Sequence, residues 1–387
     1  MTTTINNEHK KLNVPNLRFP EFQGEWKRTI FKNVITLQRG SSPRPIIEYV
    51  TTSDDGVNWI KIGDMPHFGR IVTSTEEKIT KEGAKKSRQV NKGDLILSNS
   101  MSYGLPYIMG IDGYIHDGWF VLKNFENTFD KDYLCNLLIS SAIQNQYKRL
   151  AAGGVVQNIS SDLVNSVSVS IPTMMEQKKI SSLLNLIDER IATQNKIIED
   201  LKKLKSAISH ILFSSKGAIH LSEIANVVMG QSPSSNAYND QGLGMPLVQG
   251  NLDISNGKTT PRLYTAEFNQ TTEKGNIILT VRAPVGEVAK ATQKVCLGRG
   301  VCAIIPHEEN MSDFIYQYLT FYKFMWRRYE QGSTFTSING SDVRNILCPK
   351  VRNVSILTLL DIKINIEERV VKQYQSQKQY MLYQMFI

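Results

Sequence analysis

The spacing of apolar and polar residues divides the first part of the chain into strand-like and helical segments. Short apolar runs at 57–62 and 94–97, bounded by Gly and Asp, are typical of strands joined by turns. Between residues 131 and 150 the apolar spacing becomes helical, and a last strand-like run at 168–171 stops at Pro172. The pattern therefore predicts an α/β domain that ends near residue 172.

The dipeptide Asp112-Gly113 separates two short apolar runs, at 107–109 and 114–115. Asp-Gly is a favoured sequence for the two-residue turn of a β-hairpin, because both residues tolerate the positive φ angles that this turn requires. We therefore predict that the two runs pair with each other as neighbouring strands.

Two long segments, 174–212 and 354–387, contain neither Gly nor Pro. The first carries an apolar seam with Gln194 at its centre: Ile180, Leu184, Ile187, Ile191, Ile198 and Leu201. The second carries a seam in which Gln373 corresponds to Gln194: Ile366, Val370, Gln373, Gln377, Tyr380 and Gln384. Such spacing indicates coiled-coil helices, and polar seam residues fix their register. The two helices are predicted to pair and to hold two modules apart; a long surface helix packed on its own domain is the alternative.

The chain repeats one plan twice. Gly40-Ser41-Ser42-Pro43 returns as Gly230-Gln231-Ser232-Pro233, Lys92-Gly93-Asp94 returns as Lys274-Gly275-Asn276, and Ile187 returns as Ile366. The three offsets are 190, 182 and 179 residues, so order and spacing are largely kept. Two similar modules on one chain have pseudo-two-fold symmetry, which suits a target that is itself two-fold, such as duplex DNA.

Composition adds a basic charge to this picture. The 387 residues include 45 Lys and Arg against 36 Asp and Glu, which gives a formal net charge of +9. A basic balance favours a polyanionic partner, although a mildly basic protein without one stays open. The chain has no apolar run of the roughly 18 residues that a membrane span needs, no signal-like N-terminus and no C-x-x-C pair. We therefore expect a cytoplasmic protein with reduced thiols and no membrane or metal site.

Motifs for catalysis are missing from the sequence. It has no phosphate-binding G-x-x-x-x-G-K-[ST] loop, no H-E-x-x-H zinc helix and no G-x-S-x-G elbow. An enzyme, such as a compact DNA methyltransferase or nuclease, is therefore an alternative and not the first hypothesis. A coiled-coil adaptor that binds only protein is the second alternative.

The loops that follow the two Lys-Gly strands occupy one position in the repeat but differ in sequence, which is typical of recognition loops. From these loops and the neighbouring Gly118 and Gly300 turns we predict the following base-reading residues: Asn99, Ser100, Tyr103, His116, Arg282 and Arg299. Basic residues beside Gly turns recur in both halves and suit phosphate contacts. The phosphate-binding candidates are Lys148, Arg149, Gly153, Gly154, Arg327, Arg328, Ser333 and Thr334.

Taken together, these motifs closely resemble the specificity subunit of type I restriction-modification systems. The segment Ile171-Pro172-Thr173-Met174-Met175-Glu176-Gln177-Lys178-Lys179-Ile180 is similar to the start of the family's central helix. Leu17-Arg18-Phe19-Pro20-Glu21-Phe22 with Trp26 is similar to its lead-in, and the repeated motifs match both of its target-recognition domains. The resemblance covers residues 17–387. One departure is that the second half has no Glu-Gln before its helix.

The resemblance implies an α/β fold with two pseudo-two-fold-related target-recognition domains separated by two long antiparallel coiled-coil helices. The implied divisions are a flexible tail at 1–16, recognition domains at 17–172 and 214–350, and long helices at 173–213 and 351–387. It implies a non-catalytic subunit that reads an asymmetric bipartite site in double-stranded DNA, with the helices as a ruler for the spacer.

The same resemblance implies partner subunits. Two modification subunits would carry S-adenosylmethionine and methylate adenine, and two restriction subunits would use ATP and Mg, so that this chain binds no cofactor itself. The residues implied in docking or helix pairing are Glu176, Gln177, Ile180, Ile187, Ile191, Gln194, Ile366, Val370 and Gln373.

Overall fold

The computed structural model of the chain describes residues 12–66, 69–99, 104–151, 158–214, 219–328, 337–350 and 353–387. The chain forms two compact units: unit 1 comprises Met1–Lys196 and Arg369–Ile387, and unit 2 comprises Ile197–Glu368. Among the helices within the described ranges, none is both long enough and apolar enough to cross a lipid bilayer.

Unit 1 contains the first set of strands and helices. Its strands are β1 (Lys27–Ile30), β2 (Thr36–Arg39), β3 (Val50–Thr51), β4 (Val57–Ile60), β5 (Ile71–Val72), β6 (Glu77–Ile79), β7 (Arg88–Val90), β8 (Leu95–Ser98), β9 (Pro106–Met109), β10 (Gly113–Ile115), β11 (Trp119–Lys123) and β12 (Ser168–Ile171). Its helices are α1 (Lys81–Lys85), α2 (Lys131–Ile139), α3 (Ser141–Ala151), α4 (Ser161–Ser166) and the first part of α5 (Met174–Phe213). Short 3-10 helices occur at Phe31–Asn33, Ile46–Glu48 and Ile62–Asp64.

Unit 2 contains the second set. Its strands are β13 (Ile219–His220), β14 (Ala225–Met229), β15 (Tyr238–Asn239), β16 (Met245–Val248), β17 (Ile254–Ser255), β18 (Lys258–Thr259), β19 (Leu263–Thr265), β20 (Thr271–Thr272), β21 (Ile277–Thr280), β22 (Val288–Lys290), β23 (Val295–Leu297), β24 (Val301–Pro306) and β25 (Leu347–Cys348). Its helices are α6 (Leu221–Ile224), α7 (Met311–Tyr322), α8 (Gly340–Arg344) and the first part of α9 (Ser355–Gln384). Short 3-10 helices occur at Ser235–Ala237, Asn251–Asp253 and Lys323–Arg328.

The two units share one sheet topology. Unit 1 has sheets with strand orders β3-β6-β4-β10-β7 and β2-β11-β8-β9-β5, and unit 2 has the matching orders β15-β19-β16-β23-β20 and β14-β24-β21-β22-β18-β17. A short antiparallel pair, β1 with β12 or β13 with β25, accompanies each set. The duplication predicted from sequence is therefore confirmed at the level of topology, with β17 as an addition in unit 2.

The Lys-Gly strands form the middle layer of each unit. Leu95 and Leu97 of β8 pack in the core that contains α2, whereas Ile96 packs against the other sheet. The equivalent residues of β21 alternate in the same way between two cores. Because both faces are covered, the first three residues of each strand are apolar, and only the last residue, Ser98 or Thr280, is polar. The Gly before each strand has a φ of +93° (Gly93) or +90° (Gly275), a left-handed conformation that favours glycine.

The predicted hairpin at Asp112-Gly113 is wrong. The strand β9 pairs with β8 and β5, whereas β10 pairs with β4 and β7 in the other sheet. Gly113 has no positive φ, and a Cβ there would lie 2.5 Å from Ile60 Cδ1, so this glycine is required by close packing. The Asp112 carboxylate accepts a hydrogen bond from the Lys92 amide at 2.7 Å, which stabilises a crossing between layers.

Two other expectations need correction. A flexible tail is predicted for residues 1–16, of which 1–11 lie outside the described residues. Within 12–16, however, the Asn13 side chain donates to the Trp26 carbonyl at 2.6 Å and accepts from Ser170 Oγ at 3.0 Å. The single helix expected between 131 and 150 is instead two helices, because Ser140 adopts an extended conformation with φ −65° and ψ 154°.

The long helices pair antiparallel in each unit. In unit 1, Lys378 near the end of α9 binds Asp188 near the start of α5 at 2.5 Å. In unit 2, Lys205 and Lys202 in the second half of α5 bind Asp361 and Glu368 in the first half of α9, at 2.6 and 2.8 Å. The predicted pairing of the two helices is thus confirmed, and each helix contributes to both units.

The seam predicted for α5 is confirmed, whereas that for α9 is wrong by one residue. Ile180, Leu184, Ile187 and Ile198 are buried. On α9, however, Ile366 is 47% exposed and Tyr380 is 57% exposed. The buried positions of α9 are Leu357, Ile364, Glu367, Val371 and Leu382. Leu357 and Leu382 are 25 residues apart, which is close to seven helical turns, and both lie in apolar cores that fix the rotation of the helix.

The segment Arg369–Ile387 completes unit 1. The ring of Phe386 lies 5.3 Å from that of Tyr133 on α2, and the Leu17 amide donates to the Gln384 carbonyl at 3.0 Å. Unit 1 is therefore built from two distant stretches of the chain, whereas unit 2 is continuous.

Candidate nucleic-acid interface

In both units the Gly-x-Ser-Pro turn supports the loop that precedes one buried strand, β11 in unit 1 and β24 in unit 2. In unit 1, Ser42 Oγ accepts a hydrogen bond from the Asp117 amide at 3.3 Å. In unit 2, Ser232 Oγ accepts one from the Arg299 amide at 3.0 Å. Asp117 and Arg299 therefore occupy the same position on the repeated scaffold, and the turn holds either loop through its backbone whatever side chain it carries.

The glycine of each turn is required by close backbone contact. A Cβ at Gly40 would lie 2.0 Å from the His116 carbonyl oxygen, and one at Gly230 would lie 2.1 Å from the Gly298 carbonyl oxygen. Neither glycine has a positive φ, so space alone excludes a side chain. The repeated motif that looks like a plain turn in the sequence is the support of a loop.

In unit 2 this support lies beside an open cleft of about 340 Å³. Arg282 and Arg299, both predicted to read bases, line the cleft, and both are exposed. The structure thus brings together two of the six predicted residues. It adds a third arginine, Arg262, which the sequence analysis missed because it lies in Pro261-Arg262-Leu263, outside every repeated motif.

Arg262 is held by a buried carboxylate. Its Nε lies 3.0 Å from Asp253 Oδ1, and the Asp253 side chain is only 3% exposed. The other carboxylate oxygen accepts a hydrogen bond from the Gln249 amide at 2.8 Å. Asp253 therefore fixes both the 3-10 turn that it ends and the guanidinium that lies in the cleft.

The equivalent region of unit 1 has a different charge. Asp64 ends the matching 3-10 turn. Its two carboxylate oxygens accept hydrogen bonds from the backbone amides of Lys61 and Glu76, at 2.6 and 2.9 Å. Asp117, at the position of Arg299, pairs with Arg44 at 3.0 Å. Burial pushes the pKa of Asp117 up, but hydrogen bonds from Ser42, from its own amide and from Arg44 outweigh it, so the pKa is lowered and the carboxylate is charged.

His116 remains a candidate base reader in unit 1. Its Nδ1 accepts a hydrogen bond from the Gly118 amide at 2.7 Å, which leaves Nε2 to carry the proton. Burial lowers the pKa of His116 more than the nearby Asp117 raises it. The ring is therefore neutral at pH 7 and has one N–H to donate.

Asn99, one of the predicted base readers, is buried, and its side chain is engaged within unit 1. The residue is 4% exposed, and its Nδ2 donates to the Asp117 carbonyl at 2.9 Å. Its backbone amide donates to the Gly118 carbonyl at 2.9 Å. Asn99 positions the loop that carries Asp117 from inside. Ser100 and Tyr103 lie outside the described residues.

The phosphate candidates are only partly described. Lys148 and Arg149 are exposed in the last turn of α3, and Arg149 Nε donates to the Asn145 carbonyl of its own helix at 3.3 Å. Gly153, Gly154, Ser333 and Thr334 lie outside the described residues, as do the side chains of Arg327 and Arg328. Phosphate contact by these groups stays a prediction.

Glu176 lies inside unit 1, where its side chain is not accessible to a partner subunit. It is 1% exposed, and its carboxylate forms two bonds with Arg18, to Nε at 2.8 Å and to Nη2 at 2.9 Å. Trp26 Nε1 donates to the same group at 3.3 Å. Glu176 therefore ties the lead-in segment to the start of α5, and its predicted docking role is wrong.

Gln177 is likewise internal. It is 1% exposed, donates from Nε2 to the carbonyls of Thr128 and Pro172 at 2.8 and 3.1 Å, and accepts from the Asp130 amide at 2.8 Å. When α9 is aligned with α5 by buried faces, fully buried Leu357 takes the place of Gln177. The second half therefore anchors its helix by apolar packing, which explains the missing Glu-Gln.

The remaining docking candidates divide by helix face. Ile180 and Ile187 are buried, and Ile191 and Gln194 are half-buried, as expected for helix pairing. Ile366 and Gln373 are exposed and Val370 is half-buried, so pairing is wrong for the first two. Docking of a partner on that outer face stays a prediction.

Comparison with known proteins decides the family. The family model described as the type I restriction modification DNA specificity domain matches residues 24–203 and again residues 217–373. The chain belongs to this type I DNA specificity family. The duplicated match agrees with the two units, and the resemblance inferred from sequence is confirmed.

Curated relatives are similar along most of the chain. A putative type I restriction enzyme specificity subunit, MjaX, of Methanocaldococcus jannaschii is 27% identical over 379 residues, covering 88% of this chain and 86% of the relative. The MjaVIII specificity subunit of the same organism is 26% identical over 220 residues, covering 54% of this chain and 50% of the relative. Both relatives are specificity subunits by name, and this chain is similar to them.

Solved structures support the fold. A chain from work on complex assembly and conformational transition of the type I restriction-modification system superposes with a TM-score of 0.62 at 21% identity, covering 92% of this chain and 96% of that chain. The specificity subunit from M. genitalium gives a TM-score of 0.59 at 18% identity, covering 97% and 99%. The predicted fold class is thus confirmed.

Proposed function

We propose that the chain reads an asymmetric bipartite DNA site, one half per unit, with unspecified bases between the halves. The observation that carries this proposal is the pair of equivalent loops. Each is held by the same Gly-x-Ser-Pro turn, yet one carries Asp117 and the other Arg299. A repeated scaffold with opposite charges at one position suits two different half-sites.

In this proposal the chain is the non-catalytic member of a larger complex. Two modification subunits hold S-adenosylmethionine and methylate adenine, two restriction subunits use ATP and Mg, and this chain binds none of these cofactors. An apolar stripe on the outer face of α9, formed by Leu359, Ile362 and Ile366, is exposed and offers a surface for partner subunits. Methyl transfer to DNA by the chain alone, measured with labelled S-adenosylmethionine, would contradict the non-catalytic assignment.

A segment exchange tests the bipartite site. The complex of this chain with its modification subunits is used to methylate DNA, and the methylated adenines are mapped. Exchange of residues 221–350 for those of a relative with another specificity is expected to replace one half-site and to keep the other. Exchange of residues 17–172 is the matched reciprocal control. A change in both half-sites after either exchange contradicts the assignment of one half-site to each unit.

A paired insertion tests the helices as a ruler. Seven residues are added to α5 after Lys196 and seven to α9 after Glu368, which preserves the heptad seam. Two turns lengthen each helix by about 10 Å, or about three base pairs of spacer, from half-sites first placed about one helical turn (~34 Å) apart. Methylation mapping should show a longer spacer with unchanged half-sites. Altered half-site sequences would show that the helices do more than set distance.

A further inference from the structure

We propose that Arg262, held by Asp253, reads a guanine in the half-site that unit 2 recognises. This inference rests on the proposed function and adds the base chemistry of one half-site. It concerns the cleft in which Arg262 lies with Arg282 and Arg299.

The three arginines of the cleft have different electrostatic surroundings. Arg262 is paired with buried Asp253. Within the described ranges, neither Arg282 nor Arg299 forms an ion pair with a carboxylate, and both are exposed. Arg282 and Arg299 therefore supply an uncompensated positive potential that attracts DNA, whereas the pair formed by Arg262 is close to neutral.

The contact with Asp253 orients the Arg262 guanidinium. Because Nε is engaged at 3.0 Å, the two terminal nitrogens form the free edge, and in the described part of the chain they have no protein partner. The side chain is 56% exposed, so that this edge is open to a ligand in the cleft. A planar fork of two N–H donors matches the O6 and N7 acceptors of guanine in the major groove.

The same arrangement favours a base over a phosphate as the ligand. Phosphate binding depends mainly on charge, and the charge of Arg262 is offset by a carboxylate that is 3% exposed. The carboxylate of Asp253 holds the guanidinium of Arg262 in one orientation. A guanidinium that is already fixed loses less side-chain entropy when it binds the edge of a base. Asp253 is thus a positioning residue for the reader.

Unit 1 has no counterpart of this pair among its described residues. Asp64 has the position of Asp253, but the amides of Lys61 and Glu76 occupy both of its oxygens. This particular guanine contact is therefore expected in the half-site of unit 2.

Site mapping with the methyltransferase complex provides the test. Arg262→Lys keeps the charge but removes the fork, and it is expected to reduce discrimination for guanine at one position about tenfold to hundredfold. Asp253→Asn is expected to reduce discrimination at the same position. Arg344→Lys, at an exposed arginine on α8, is the control and should leave the site unchanged. Thermal unfolding of each variant shows whether it folds.

DNA with a modified base tests whether Arg262 contacts guanine directly. DNA that carries 7-deazaguanine at the assigned position lacks the N7 acceptor and keeps base pairing. It should weaken binding of the unsubstituted chain severalfold and have no further effect on Arg262→Met, because methionine donates no hydrogen bond to the base. Equal weakening of all DNA sequences by Arg262→Met, which removes the charge, would mark a phosphate contact and overturn the inference. A half-site of unit 2 without a G·C pair would also overturn it and leave the proposed function intact. If the complex recognises no bipartite site, this inference and the proposed function are both contradicted.

Discussion

Replacing Glu176 by alanine is expected to lower the free energy of unfolding of unit 1 by about 3–5 kcal/mol. The change leaves the Arg18 guanidinium, whose side chain is 16% exposed, without its carboxylate, and it removes the acceptor of Trp26 Nε1. An unpaired charge in such a place costs more than the ion pair itself contributes. Calorimetry of the full chain, in which the transition of unit 1 is followed, measures the loss.

The matched control for this variant is Glu189→Ala, at an exposed position of the same helix. It is expected to change the stability by no more than about 0.5 kcal/mol. Joint replacement of Arg18 by Met and Glu176 by Leu should recover much of the loss, because apolar groups of similar size leave no unpaired charge. Equal effects of Glu176→Ala and Glu189→Ala would contradict the assigned role.

Replacing Gly40 by alanine is expected to displace the loop that carries Asp117 and to destabilise unit 1 by about 3 kcal/mol. The added Cβ would lie 2.0 Å from the His116 carbonyl oxygen, so that backbone must move. Recognition by unit 1 should fail at temperatures where the chain stays folded, and recognition by unit 2 should persist. Calorimetry and mapping of methylated sites measure the two effects.

The control for this clash is Gly63→Ala. Gly63 lies in the same unit, has no positive φ, and would have no heavy atom within 4 Å of an added Cβ. Gly63→Ala is expected to leave the free energy of unfolding almost unchanged. Half-site recognition that survives Gly40→Ala unchanged would mean that the turn does not hold the loop.

The plan of the fold could be predicted from the sequence because the repeat preserves physical requirements. Gly93 and Gly275 recur since each needs a positive φ, and Gly40 and Gly230 recur since each meets a carbonyl oxygen. The runs after them recur because their strands are buried on both faces. Such requirements are local, so a single sequence shows them.

The errors have a common physical cause, which is tertiary packing. The residues around Ile366 resemble those around Ile187, yet cores at both ends of α9 rotate it so that Glu367 is buried instead. Asp112-Gly113 has the sequence of a hairpin turn, yet the chain crosses between two sheets there. A local sequence pattern contains no information about which distant core a segment joins.

The candidate site could be predicted only where it belongs to the repeat. Arg282 and Arg299 lie on repeated loops, and the structure places both at one cleft. Arg262 and Asp253 are nine residues apart in a stretch without a motif, and their pairing follows from the turn at Asn251–Asp253. Asn99 has the chemistry of a base reader, but its burial was not visible in sequence.

The division of unit 1 between two stretches of the chain has a consequence for synthesis. Unit 2 ends at Glu368, so all of it leaves the ribosome before the segment Arg369–Ile387 that completes unit 1. Two contacts of unit 1, between Lys378 and Asp188 and between Phe386 and Tyr133, cannot form until this last segment has been synthesised. During that interval the face of α2 that Phe386 covers is expected to stay open to solvent, and exposed apolar surface of this kind makes partly folded chains prone to aggregation.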